Sequence, residues 1–99
     1  MSTQTKNLCI LIGKLVSDVK YGHDPIRGLD QADFALETLS QEIKGKEYKE
    51  TVMARVIGPD APQMKDMKQG TIVALEGRLK HSEKNGRGYC EARHLVVVR

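Results

Sequence analysis

The sequence predicts an all-β chain: five strands rolled into a small barrel, with one short helix between the third and the fourth. Three observations lead there. Apolar residues alternate with polar ones over several short stretches. A glycine, Gly13, interrupts the longest apolar run, as the bend of a closing barrel strand requires. One segment begins with prolines and ends on a glycine, which suits a helix's start and stop.

The elements follow in order. Residues 7–19 form a long first strand, with Leu8, Ile10 and Ile12 on one parity and Cys9 and Leu11 on the other. Residues 22–29, containing Pro25 and Gly28, read as a loop. Residues 31–39 make a half-buried second strand: Phe34, Leu36 and Thr38 face one way, Asp33, Ala35 and Glu37 the other, and Phe34 belongs to the core. Residues 43–47 are a turn tip. Residues 48–57 form the third strand, with Val52, Ala54 and Val56 inward and Thr51, Met53 and Arg55 outward.

Pro59 and Pro62 open a short helix that runs to Lys68 and stops at Gly70, and Met64 and Met67 on it would plug the barrel. The fourth strand spans 71–80, with Val73, Leu75 and Leu79 inward; the fifth spans 89–98. Between them residues 82–88 form a polar loop whose Asn85-Gly86 pair is a strong turn signal. Strand, strand, strand, helix, strand, strand is the order of the OB-fold, a five-stranded Greek-key barrel whose loops bind oligonucleotides or oligosaccharides. Ninety-nine residues supply one such core, so a single domain over residues 1–99 is expected.

Charge narrows the function. The net charge is only +3. From residue 78 onward, however, Arg78, Lys80, Lys84, Arg87, Arg93 and Arg99 oppose only Glu83 and Glu91. One end is therefore cationic, as a polyanion-binding surface would be. Residues 70–89 describe a hairpin that is greasy at its base and basic at its tip. Catalysis finds little support, because there is no phosphate-cradling loop followed by Lys-Ser/Thr, no Gly-x-Ser-x-Gly and no Cys-x-x-Cys. His23, His81 and His94 lack ligand spacing, so neither metal nor cofactor is expected. No apolar run approaches the roughly 20 residues of a membrane span. Cys9 and Cys90 lie in apolar segments and read as small, reduced core residues of a cytoplasmic protein.

Three segments carry a family resemblance. NLCILIGKLVSDVKY (residues 7–21) resembles the opening strand of bacterial single-stranded DNA-binding proteins, where a hydrophobic run meets Gly-x-Leu and a short acidic turn. ADFALET (residues 32–38) is similar to their second strand, and KDMKQGTIVALEGRL (residues 65–79) to their helix end and fourth strand. The related primosomal replication protein PriB shares this fold. The resemblance implies non-specific single-stranded DNA binding in replication, recombination or repair, with RNA left open as a ligand. It also implies a homodimer or homotetramer paired through Leu8, Ile10 and Ile12 at the exposed edge of the first strand, and a nucleoid-associated location.

Two departures stand out. The family's base-stacking aromatics would fall at Glu42, Met53 and Lys84, none of which is aromatic. The sequence ends in strand on Leu95-Val96-Val97-Val98-Arg99, so the family's acidic C-terminal tail is expected to be absent. Electrostatics must then dominate. The candidate DNA-contacting residues are Lys14, Lys20, Lys46, Tyr48, Lys49, Met53, Arg55, Arg78, Lys80, Lys84, Arg87 and Tyr89. With about four phosphates neutralised per barrel, log affinity should fall against log salt with a slope near −3. Two other roles stay open: a PriB-like component that meets replication or primosome proteins, and an assembly or regulatory module with little DNA binding.

Overall fold

A computed structural model describes residues 6–98 of the chain, apart from the side chains of residues 40–43. Among the described residues six strands are present: β1 (Cys9–Leu15), β2 (Lys20–Asp24), β3 (Leu29–Ile43), β4 (Lys46–Ile57), β5 (Ile72–His81) and β6 (Gly88–Val98). They lie in the order β1-β5-β6-β4-β3-β2. A further pairing of β1 with β3, at Lys14↔Glu37 and Leu15↔Leu36, closes five of them into a ring. β4 and β6 run parallel, at Ala54↔Cys90, Arg55↔Glu91 and Val56↔Ala92, while the remaining pairs are antiparallel. This is the OB-fold barrel.

The expected first strand is in fact two. β1 follows β5 and then breaks over residues 16–19; β2 resumes against β3. The break is satisfied locally, since the Val16 N–H donates to the Ala35 carbonyl at 3.1 Å and Ala35 N–H to the Ser17 hydroxyl at 2.8 Å. Gly13 sits just before this bend, where β1 crosses from β5 to β3. A Cβ there would lie 2.9 Å from the Glu37 carbonyl and 3.1 Å from Leu36 Cβ. Only glycine lets the barrel close so tightly.

The expected loop at residues 22–29 shrinks to a four-residue turn, because β2 extends to Asp24 and β3 begins at Leu29. Asp24 organises it by accepting hydrogen bonds from the Ile26 and Arg27 amides and from Arg27 Nε. β3 and β4 are longer than the alternation implied and meet at a tight turn in which Lys44 and Gly45 both have positive φ. The helix is also shorter than expected. It is one 3-10 turn, Ala61–Met64, rather than a helix running to Lys68. Its bonds reach only three residues, Gln63 N–H to Asp60 and Lys65 N–H to Pro62, and proline leaves residues 59 and 62 without a donor.

Inside, Phe34, Leu36, Val56, Val73 and Leu75 pack with Leu15, Leu95 and four alanines. Met64 is fully buried against them and Met67 packs at the edge. Leu79 departs from its expected inward role and is half exposed. A register shift at Glu76/Gly77 separates it from Leu75, and its strand has by then run into the β5–β6 hairpin. Leu8, Ile10 and Ile12 are 60%, 63% and 62% exposed. Among the described residues no helix is long and apolar enough to cross a membrane.

Candidate functional site

A groove of about 840 Å³ crosses the outside of the barrel. Its floor is the outer face of β3 and β4, with Asp33, Ala35, Met53 and Arg55. One wall is the bend between β1 and β2, and the other is the β5–β6 hairpin from Lys80 to Tyr89. Strand pleating selects these residues: Phe34 and Leu36 turn to the core, so Asp33 and Ala35 face out, and Arg55 and Met53 lie opposite them in register.

The groove gathers six of the twelve candidate residues: Lys20, Met53, Arg55, Lys80, Arg87 and Tyr89. Two of its cations are held by acids. Arg55 forms a two-pronged pair with Asp33, Nε to Oδ1 at 2.7 Å and Nη2 to Oδ2 at 3.2 Å. The Asp33 carboxylate pushes the Arg55 pKa above its ordinary value. The Arg55 guanidinium carbon also lies over the Tyr89 ring, 5.3 Å from its centroid. Lys80 Nζ sits 3.0 Å from Glu91 Oε1, and Arg27 Nη1 approaches the same oxygen at 3.7 Å. Glu91 is only 3% exposed. Lys20 and Arg87 are exposed and, among the described residues, have no ion-pair partner.

The other six candidates lie elsewhere. Lys14 and Lys49 flank Glu37, at 3.7 and 3.6 Å from its Oε1, and line a smaller depression of about 310 Å³ with Ile12, Leu39 and Ile72. Lys46 and Tyr48 are exposed on the β3–β4 arm, Arg78 on the outside of β5, and Lys84 in the hairpin loop. The side chain of Glu42 lies outside the described residues, as does Arg99. Tyr21 is occupied structurally: its hydroxyl donates to Asp30 at 2.8 Å and Lys65 lies over its ring.

Asp33, Glu91 and Arg27 are the site residues that pattern reading passed over. With Cys90 and Ala92 inward, strand alternation reads Glu91 as an outward, surface acid; the structure buries it, and a buried acid needs a cation. Register sets Asp33 opposite Arg55, its partner, but for Glu91 it sets Arg55 and Arg78 opposite while the ion pairs go to Lys80, two residues beyond Arg78 on β5, and to Arg27. Among the described residues there is no group of three or more His, Cys, Asp or Glu side chains that could hold a metal ion.

No family model matches the chain, and no curated protein does. Solved structures do. The wild-type single-stranded DNA binding protein from Thermus aquaticus superposes with a TM-score of 0.70 at 24% identity, over 95% of this chain and 50% of that one. The protein priB from Ralstonia solanacearum gives 0.76 at 17% identity, over 96% of this chain and 100% of that one. The fold is theirs. The chain thus spans about half the length of the Thermus protein and the whole of the Ralstonia protein. A deletion mutant of the Thermus protein agrees, with a TM-score of 0.72.

Proposed function

We propose that the protein binds single-stranded DNA with little sequence preference along the groove over β3 and β4, and that it carries out no chemistry. The observation that carries this reading is the groove itself. It joins an open floor with Met53, a half-buried Tyr89 and two cations, Lys20 and Arg87, that have no ion-pair partner among the described residues, on a barrel of the kind used by a single-stranded DNA binding protein. Lys20 and Arg87 neutralise phosphates, and Met53 and Tyr89 contact bases. Lys46, Tyr48 and Lys49 extend the path along the β3–β4 arm, with Lys14 of β1 beside Lys49 at Glu37, while Arg78 and Lys84 extend it along the hairpin.

The proposal includes a second copy of the chain. From Cys9 to Gly13, β1 pairs with β5 on one side only, among the described residues. Beside that open edge lie Leu8, Ile10 and Ile12, with Ile72, Val96 and Val98 also exposed. Pairing this edge with its twin satisfies the backbone and covers the apolar side chains. The pairs Arg55–Asp33 and Lys80–Glu91 favour a second reading, an assembly module with little DNA affinity.

Fluorescence anisotropy with oligo-dT at two salt concentrations separates the readings. Salt-sensitive binding is the expected result, and no binding at low salt would leave the assembly module. Sedimentation of the protein and of an Ile10→Asp/Ile12→Asp variant tests the pairing: the variant should be monomeric where the parent is not.

A further inference from the structure

Arg55 has the charge of a phosphate contact but not its surroundings. Asp33 engages Nε and Nη2, both on one edge of the guanidinium, and cancels its charge within the groove. A phosphate could take the same edge only by displacing a carboxylate already in two-pronged geometry. The faces of the plane are another matter. The guanidinium carbon lies over the Tyr89 ring at 5.3 Å from its centroid, and the Arg55 side chain, 27% exposed, is part of the groove lining. A planar cation fixed along its edge and backed by an aromatic ring presents the kind of surface on which an unpaired base stacks.

We infer that Arg55 is a stacking platform for a nucleobase, with Asp33 as the residue that positions it and Tyr89 as its backing. The inference rests on the single-stranded DNA reading and deepens it by assigning the chemistry of one subsite. It also accounts for how a groove with so few aromatics can grip bases. Met53 lies two residues along the same face of β4, about 7 Å away, and receives the neighbouring base.

The test compares oligo-dT with an abasic deoxyribose-phosphate oligomer of equal length, for the full chain and for Arg55→Lys and Asp33→Asn. Lysine keeps the charge but not the plane. R55K should therefore lose about ten-fold or more of the oligo-dT affinity, while abasic affinity and the salt slope stay at the parent's values. D33N frees a cation and loosens the platform. Its preference for oligo-dT over the abasic chain should fall, and its salt slope should steepen by about 0.7. Thermal denaturation of both variants confirms that they are folded, and D33N keeps the idea testable if R55K is not. If the parent binds and both variants keep its dT-to-abasic ratio, the platform is refuted while the DNA reading stands. A parent that binds neither oligomer refutes both.

Discussion

Replacing Gly77 with alanine probes the contact that holds the hairpin wall of the groove to the barrel. A Cβ at this position would lie 2.0 Å from the Glu91 carbonyl oxygen and 2.6 Å from both Ala92 Cα and the Glu91 carbonyl carbon. Carbon and oxygen in neighbouring strands ordinarily approach to about 3.3–3.6 Å. The methyl group therefore needs more than about 1 Å of extra room, and backbone atoms cannot rotate aside to give it. Parting β5 from β6 by that much stretches adjacent ladder bonds past about 3.6 Å, where they cease to be hydrogen bonds. Two lost bonds at about 1 kcal/mol each, added to about 1–3 kcal/mol of overpacking strain, give a loss of about 3–5 kcal/mol. That is a large share of the roughly 5–15 kcal/mol that holds a domain folded. Urea unfolding followed by circular dichroism measures it. Gly22→Ala serves as the control, because a Cβ at residue 22 meets nothing within 4 Å. A G77A loss below about 1 kcal/mol would show that the two strands are not pressed together as described.

Three further outcomes are expected. Lys20→Ala combined with Arg87→Ala should make the slope of log affinity against log salt shallower by about 1.4; a change under about 0.5 would mean that these residues meet no phosphate. Asp30 is held below the usual carboxylate range by its hydrogen bond from His23 and then by that from Tyr21. Its contribution to stability is therefore present above the unfolded value and lost as pH falls through the folded one. Asp30→Asn should lower the melting temperature near neutrality and flatten its decline below about pH 4; parallel acid limbs would refute this. Burial pushes the Cys90 thiol up to about 12, helped by Cys9. Cys90 should then resist thiol reagents at pH 8 until the protein is unfolded, and labelling of native Cys90 at the unfolded rate would contradict the packing.

What the sequence revealed and what it hid divide along a physical line. Strand parity is local. The alternation about Phe34 and Leu36, and about Ala54 and Val56, therefore places core and groove floor correctly. Gly13 too was visible as a bend, although the break itself falls three residues later. Pro59 and Pro62 are good helix starters and Gly70 a good stop, which predicts a longer helix, whereas the segment forms a single 3-10 turn that ends at Met64. The ion pairs were hidden because they join residues distant along the chain. Arg55 and Asp33 are 22 positions apart, and only register brings them together. The same holds for Glu91, which reads as one more surface acid until β5 and the β2–β3 turn bring Lys80 and Arg27 to it.

The parallel seam between β4 and β6 has a consequence for how the molecule is made. Among the described residues it consists of three residue pairs, and its β6 half, Cys90 to Ala92, is translated well after its β4 half, Ala54 to Val56. A growing chain can form the β3–β4 hairpin early, since those strands are neighbours in sequence, but the ring cannot shut until β6 has cleared the ribosome. Until then the inner faces of Phe34 and Val56 stay wet. The wall and the floor of the groove are thus joined through one short line of backbone bonds.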